Sequence, residues 1–281
     1  MPGTLHVIST PIGNLEDITL RALRLLREVA VIAAEDTRRT AKLLTHYGIQ
    51  TPTLSYHEHN HRSRLPTLLR KLRDGADVAL VTDAGTPGMS DPGVELVDAC
   101  LVEGVAVNPV PGASSLLAAV VASGFPLTPL TWLGFSPHRS KDLSGWLERL
   151  GAIEHTVCFL ESPHRIEHTL QQLAASLGTR PICLARELTK VHQEIIRGPA
   201  SQILEQIRSL KGEFTLVVGP STIEKEATVG STDSDVVRDF GQLQENGAFS
   251  TRRALIAELA RRHGRSVRQV YALILEHQAV D

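Results

Sequence analysis

Short runs of β-branched and aliphatic residues recur along the first 220 positions, and between them lie amphipathic stretches long enough to be helices. The early runs are HVIST (6–10), VAVIAAE (29–35), TLSYH (53–57), DVALVTD (77–83) and VAVNPV (105–110). From Ile18 to Val29, Leu23, Leu26 and Val29 fall at helical spacing behind Asp17 as an N-cap. Gly48, Gly75 and Gly104 stand where helices must close before the next strand. This alternation dictates an α/β fold. After Gly124 the segment FPLTPLT interrupts it with two prolines, and it resumes with TWLGF (131–135), HTVCFLE (155–161), PICLARE (181–187) and EFTLVVG (213–219). The expectation is therefore an α/β domain over residues 1–120 and a second over 121–220. Residues 221–235, STIEKEATVGSTDSD, are acidic and lack an apolar period, so they read as a linker. Residues 236–281 read as a purely helical domain.

Composition narrows the class. The chain has 281 residues, 42% of them hydrophobic and 21% charged, which supports a sizeable core and argues against wholesale disorder. With 4% aromatic residues, that core must be filled by Leu, Val, Ile and Ala. Lys and Arg number 29 against 31 Asp and Glu, so the net charge of −2 signals neither a nucleic-acid nor a membrane partner globally. Cys100, Cys158 and Cys183 are too few and too scattered for a disulfide framework or a paired-thiol zinc site. A reducing cytoplasm is the expected compartment. MPGTLHVISTPIGN lacks the basic and apolar regions of a signal peptide, and no uncharged run approaches the roughly 18 residues of a membrane span.

Residues with chemical potential gather at the carboxyl ends of the expected strands, where open α/β sheets place their ligands: Pro11, Glu35 with Asp36, Asp83 and Glu161. The segment 81-VTDAGTPGMSDPGVE-95 has three glycines before a helix starting at about Gly93, so backbone N–H groups can approach a ligand closely. It is longer than a plain strand-to-helix turn requires. Neither G-x-G-x-x-G after a strand nor G-x-x-x-x-G-K-[ST] is present, which excludes a dinucleotide-binding Rossmann unit and a P-loop. In 56-YHEHNHR-62, His57, His59 and His61 share one face if extended, but no metal is expected without accompanying thiol ligands.

In order, STPIGNLEDIT (9–19), AAEDTRRTAKLL (33–44), YHEHN (56–60), TDAGTPGMSDPG (82–93), VPGASS (110–115), ESPHR (161–165), ARELTK (185–190) and GEFTLVVG (212–219) closely resemble the ribosomal RNA small subunit methyltransferase I family of the tetrapyrrole methylase superfamily. The resemblance covers about residues 4 to 220. It implies two α/β domains with S-adenosylmethionine in the cleft between them, a homodimer, and 2′-O-methylation of a cytidine ribose in small-subunit (16S) rRNA, free or within a ribosomal particle. It further implies that Pro11, Asp83, Gly85, Thr86, Met89, Ser114 and Ser115 line the cofactor from the first domain, with Leu160, Ala185, Phe214 and Thr215 from the second. Ser114 and Ser115 follow a Pro-Gly turn and open a helix, so N-capping is an alternative role for them.

Methyl transfer to a ribose hydroxyl needs in-line alignment and a proton acceptor. The strand-end carboxylates Glu35, Asp36 and Glu161 are the candidates, with His57 and His164 behind them. Arg38, Arg165, Arg186 and Lys190 match cationic positions of the family motifs and could hold RNA phosphates, and His57 and His164 are counted with them as RNA-binding candidates. Where the family has an acidic residue this chain has His61, and 134-GFSPHRSKDLSG-145 carries less charge than the family's basic loop, so no RNA role is expected of either segment. The tail 249-FSTRRALIAELARRHGRSVRQVYALILE-276 places Leu255, Leu259 and Ala260 before Gly264, and Val267, Val270, Tyr271 and Ile274 after it, similar to a helix-turn-helix. Its Arg252, Arg253, Arg261, Arg262, Arg265 and Arg268 face a single Glu258, giving a local basic excess suited to phosphates. Two competing functions share parts of this pattern: a corrin, porphyrin or diphthamide-precursor methyltransferase, and a non-catalytic helix-turn-helix regulator.

Overall fold

A computed structural model of the chain describes every residue other than Asp91, 222–232, 246–250, Gly264 and 279–281, and leaves the side chains of Ser140, Glu245, Arg253, Ala254, Arg261, Arg262, Glu276 and Gln278 undescribed. The chain divides into two compact units, Met1–Ser221 and Thr222–Asp281.

The first sheet of the larger unit contains β1 (Thr4–Ile8), β2 (Val31–Ala34), β3 (Thr53–Ser55), β4 (Val78–Val81) and β5 (Ala106–Val110), all parallel in the order β3-β2-β4-β1-β5. VIAA and VALV, the sequences of β2 and β4, are buried throughout, as strands covered on both faces must be. On one face α1 (Leu20–Glu28) and α2 (Thr37–His46) pack Leu26, Leu43 and Leu44 against Ile8, Ile32 and Val81. On the other, α3 (His61–Arg73) and α4 (Val94–Val102) pack Leu68, Leu72 and Leu96 against Leu5, Val31 and Leu80. The neighbouring strands β1 and β4 thus send their chains to opposite faces, and their carboxyl ends open a crevice.

Local chemistry explains most helix ends. Gly48, Gly75 and Gly104 all have positive φ just past α2, α3 and α4, the conformation a non-glycine residue resists. The N-cap of α1 is Thr19, whose hydroxyl accepts from the Ala22 N–H at 3.1 Å, and not Asp17, which belongs to a preceding 3₁₀ turn capped by Asn14.

The second sheet contains β6 (Leu130–Phe135), β7 (Thr156–Glu161), β8 (Ile182–Arg186), β9 (Glu194–Gly198) and β10 (Phe214–Val218), in the order β6-β7-β10-β8-β9. Only β6–β7 is parallel; β10 runs antiparallel to both its neighbours, and β9 to β8. Strand β9 was not expected from the sequence. It is an edge strand with only Ile196 buried, so EIIRG shows neither a full alternation nor a continuous apolar run. The helices α6 (Ser140–Ala152), α7 (Ile166–Leu177) and α8 (Ala200–Gln206) cover one face around Trp146, Phe159, Leu170 and Leu216. The other face receives α5 (Ser115–Ser123), whose Ala119 and Val120 pack with Cys158, Cys183, Ala185 and Val217, while Ile12 joins them from the β1 end. The boundary expected after residue 120 therefore falls inside a helix that packs on the second sheet. The three thiols are free and buried.

In the smaller unit α9 (Asp233–Glu245), α10 (Arg252–Arg262) and α11 (Val267–Gln278) enclose Val236, Phe240, Leu255, Ile256, Leu259, Ala260, Val270 and Ile274. Val267 and Tyr271, expected inside, are 51% and 48% exposed, because α11 turns Val270 and Ile274 inward instead. Most of the expected linker, and the glycine turn at Gly264, lie outside the described residues. Among those described, no helix is long and apolar enough to cross a membrane.

Candidate active site

The loops leaving β1 and β4 are tied together at the crevice. Thr10 and Gly85 exchange both backbone hydrogen bonds, at 2.9 and 3.0 Å, and the Thr10 hydroxyl donates to the Thr82 carbonyl at 3.0 Å. The Ser9 and Thr86 hydroxyls pair at 2.8 Å. Gly85 sits at φ +79°, a conformation that L side chains rarely adopt, so its place in the bridge explains why the motif has glycine there. The loop that follows forms one wall of a cavity of about 330 Å³. Ser114 and Ser115, at the start of α5, form a second side, where the Ser114 hydroxyl also accepts from the Leu117 N–H at 3.4 Å. The second sheet supplies the opposite wall through Leu160, Phe214 and Thr215, with Trp132 and Phe135 from β6.

This lining fits S-adenosylmethionine. Leu160, Trp132, Phe214 and Ile12 offer apolar surface for a purine, and Thr86, Ser114, Ser115 and Thr215 offer hydroxyls for polar ends. Among the described residues neither Arg nor Lys lines the cavity, so a sulfonium would meet no like charge from them. The volume is within the roughly 300–1,000 Å³ of small-molecule sites.

Of the residues expected to line a cofactor, Gly85, Thr86, Met89, Ser114, Ser115, Leu160, Phe214 and Thr215 are on this cavity. Three are not. Ala185 is 1% exposed and faces the packing under α5, a consequence of its register opposite Thr215. Pro11 and Asp83 line a separate cavity of about 190 Å³, together with Arg39 and Lys42. The sequence reading missed Ile12, Trp132, Phe135, Ser162 and Glu213. Trp132 and Phe135 carried a usable signal, being two of the chain's few aromatic residues and falling on one short strand, β6.

The three carboxylates expected near the chemistry have different surroundings. Asp36 caps α2, accepts from the Arg38 N–H at 2.9 Å and pairs with the Arg38 guanidinium at 2.8 Å. Those hydrogen bonds hold its carboxyl well below the usual range and leave Arg38 committed to its own neighbour. Glu35 is pushed up, chiefly by burial and also by the Asp83 carboxylate, against the lowering effect of the Asp83 N–H that donates to it at 3.1 Å. Asp83 in turn accepts from the Asp36 N–H at 3.0 Å and pairs with Arg39, not Arg38, at 3.3 Å.

Glu161 is buried at the end of β7, and both its oxygens are engaged. One accepts from the Ser162 N–H at 2.7 Å and from Arg165 Nε and Nη2 at 2.9 and 2.7 Å. The other accepts from the Ser136 hydroxyl and from the Thr169 hydroxyl at 2.6 Å. Five donors from Ser162, Arg165, Ser136 and Thr169 thus converge on one carboxylate, so where a base was expected the geometry is that of a group that holds these side chains in place.

The cationic candidates also separate. Arg165 is 19% exposed along its side chain and is held by Glu161, a residue of the cavity lining. Arg186 is 8% exposed, with its guanidinium donating to the Lys211 and His192 carbonyls and pairing with Glu194 at 3.5 Å, so this buried strand-end cation braces the loops around it. Lys190 bonds Glu187 and Glu213 at 2.9 and 3.1 Å. His57 is turned into its own loop, with Nδ1 accepting from the His59 N–H at 3.2 Å and Nε2 near Asn60. His164 is exposed beside Arg165. In the smaller unit Arg268 is exposed, Arg252 lies 5.8 Å above the Phe240 ring, and Arg265 pairs with Asp233 at 2.5 Å. The side chains of Arg253, Arg261 and Arg262 lie outside the described residues.

Residues 4–204 match the family model of the Tetrapyrrole (Corrin/Porphyrin) Methylases. The fold agrees: the diphthine synthase structure superposes with a TM-score of 0.59 at 14% identity, covering 77% of this chain and 90% of that one. The uroporphyrin-III-C-methyltransferase of Thermus thermophilus gives 0.54 at 20% identity, covering 77% and 94%. The architecture and cleft are thus those of a tetrapyrrole-type methylase. Curated relatives carry the assignment further. The ribosomal RNA small subunit methyltransferase I of Halalkalibacterium halodurans is 46% identical over 77% of this chain and 75% of its own. That of Synechocystis is 41% identical over 99% of both chains, and that of Escherichia coli O157:H7 39% identical over 98% and 96%. The chain belongs to the ribosomal RNA small subunit methyltransferase I family.

Proposed function

We propose that this chain transfers a methyl group from S-adenosylmethionine to the 2′-hydroxyl of a cytidine ribose in 16S rRNA. The observation that carries the reading is the 41% identity to a relative of that name along 99% of both chains, the helical unit included. The cavity between the two sheets supports it.

When bound, S-adenosylmethionine supplies an electrophilic methyl group on a sulfonium. The Gly85–Thr86 loop and the Ser114–Ser115 helix start hold the polar ends of the cofactor, while Leu160, Trp132 and Phe214 exclude water from its base. Restricting the approach of the ribose hydroxyl is the main contribution such a site can make, since alignment alone supplies several kcal/mol. Of the three carboxylates, Glu35 is kept as the candidate acceptor of the hydroxyl proton, because Asp36 is ion-paired with Arg38 and both oxygens of Glu161 are taken by protein donors. Arg252, Arg265 and Arg268 of the smaller unit suit contacts with RNA phosphates. A homodimer is supported by exposed apolar side chains on successive helices, Leu101 and Val102 on α4 and Leu117 and Val121 on α5.

The test is methylation of 16S rRNA and of 30S particles by the purified protein, with the product nucleoside identified by mass spectrometry. A 2′-O-methylcytidine at one position is the expected result. Methylation of a corrin or porphyrin with no transfer to RNA would overturn it, and absence of any turnover would favour a non-catalytic regulator.

A further inference from the structure

Arg165 and His138 meet beside the turn whose Ser162 and Pro163 line the cavity. Arg165 follows the turn after β7 and immediately precedes α7; His138 lies in the loop between β6 and α6. Arg165 Nη1 contacts His138 Nδ1 at 2.5 Å, while Nε and Nη2 are both held by Glu161 and Nη2 also reaches the Ser136 carbonyl at 3.4 Å. Three of the five guanidinium N–H groups are therefore fixed inward, by a buried carboxylate and a backbone carbonyl, and Nη1 is aimed at an exposed imidazole. Ser162 and Pro163, in the same turn, line the cavity.

We infer that Arg165 and His138 form a two-pronged clamp for one backbone phosphate of the nucleotide being methylated, with Glu161 as the positioning residue that locks the guanidinium. The inference rests on the methyltransferase reading above and deepens it. In the free protein the Arg165 contact falls on Nδ1, which accepts from Nη1, so the ring proton is on Nε2. A phosphate oxygen is a stronger, charged acceptor for Nη1 and displaces the imidazole from it; the released, exposed ring can then turn its Nε2–H to a second oxygen, so substrate replaces a neutral partner by a charge-assisted one. Glu161 neutralises the formal charge of Arg165 yet cannot compete for Nη1, because its own lone pairs are taken by Ser162, Ser136 and Thr169. A guanidinium held on two edges loses little side-chain freedom when the phosphate arrives. The segment that holds His138 carries too little charge for an RNA role to be expected of it. Its contribution comes from geometry, a single imidazole brought against Arg165.

The experiment measures kcat and KM for a 16S rRNA fragment, the RNA Kd across a salt series, and S-adenosylmethionine affinity by calorimetry, for wild type, His138→Ala, Arg165→Lys, Arg165→Ala with Glu161→Gln, and Glu161→Gln alone. His138 is exposed, so its variant folds; the double variant removes the buried charge together with its partner. The clamp predicts cofactor affinity within threefold of wild type for His138→Ala and Arg165→Lys. It predicts KM raised about tenfold in His138→Ala, and a log–log salt slope shallower by about 0.7 to 0.9 in the double variant but retained in Arg165→Lys. Glu161→Gln should raise KM with the charge, and hence the slope, intact. If the double variant keeps the wild-type slope, or His138→Ala keeps the wild-type KM while wild type methylates the fragment, the clamp is overturned and the methyltransferase reading stands. A wild-type protein that neither binds nor methylates the RNA overturns both.

Discussion

Gly85 gives the sharpest way to separate backbone geometry from cavity filling, through alanine and valine at the same place. Its φ of +79° costs an L residue about 1–2 kcal/mol. A Cβ there would find Ile12 Cγ2 at 3.7 Å, ordinary contact, so alanine meets no steric obstacle. For a unit of about this size each kcal/mol shifts Tm by about 2–4 °C, so Gly85→Ala should lower Tm by about 2–8 °C and leave cofactor affinity within threefold. Valine bears the same backbone cost and adds two methyl groups beside the cavity. Overpacking of that kind costs about 1–3 kcal/mol. At about 1.4 kcal/mol per decade, Kd for S-adenosylmethionine should rise about 5- to 140-fold in a protein that still unfolds cooperatively. Calorimetric titration and thermal unfolding of both variants decide the matter. An alanine variant with unchanged Tm refutes the strain; a folded valine variant with wild-type affinity refutes the placement of the cofactor beside Gly85.

Ser114→Ala should cost about 1 kcal/mol of stability by removing the α5 cap, and Ser114→Gly only a few tenths, so a cofactor affinity lowered equally in both would assign the hydroxyl to the ligand and not to the helix. Tyr56 is fully buried with its hydroxyl unpartnered among the described residues, so Tyr56→Phe should raise stability by about 1 kcal/mol in a denaturant titration. Glu35 has a folded-state pKa raised by burial, so the stability it contributes is present below its unfolded pKa and lost as pH rises through the folded one. Glu35→Gln should therefore gain Tm over wild type as pH rises through that window, and as the loss of a base should lower kcat by about 10²- to 10⁴-fold; a variant less stable at alkaline pH would refute the burial argument. Residues 1–221 alone should fold, bind S-adenosylmethionine, and bind RNA more weakly with a shallower salt slope, by about 0.7 for each single-strand phosphate that the smaller unit would otherwise neutralise; an equal slope would make that unit a structural cap.

The first sheet was legible because parallel strands buried on both faces are written as unbroken apolar runs, VIAA and VALV, and because the glycines that end α2, α3 and α4 are there for a conformation other residues avoid. Four strands of the second sheet were legible one by one, but β9 and the pairing of the sheet were not. Whether β10 runs between β7 and β8, antiparallel to both, depends on connections whose residues carry no directional signal, and β9 presents only one buried side chain. The boundary near residue 120 misled for a related reason. The helix α5 is apolar enough to be buried, with Ala119 and Val120 inside, but which sheet it covers is a matter of chain path and leaves no trace in its own sequence.

The site residues that the sequence assigned least well are its cations, and the cause is that an arginine written in a motif does not state what neutralises it. Arg165, Arg186 and Arg180 occur in similar local settings, each beside a strand of the second sheet. Arg180 is buried with its guanidinium donating to the carbonyls of Gly219, Leu150, Ile153 and His155, and among the described residues it pairs with no carboxylate; it closes the end of α6 against the last strand. Arg186 spends its donors on two carbonyls and Glu194. Arg165 spends three on Glu161 and the Ser136 carbonyl, and its Nη1 meets the exposed His138 imidazole. Burial of a guanidinium demands that its N–H groups be satisfied, and the donors left over after that demand are the ones free to recognise a substrate. That remainder is fixed by the carbonyls and carboxylates that folding brings around each side chain from distant segments: Ser136 and His138 reach Arg165 from nearly thirty residues away.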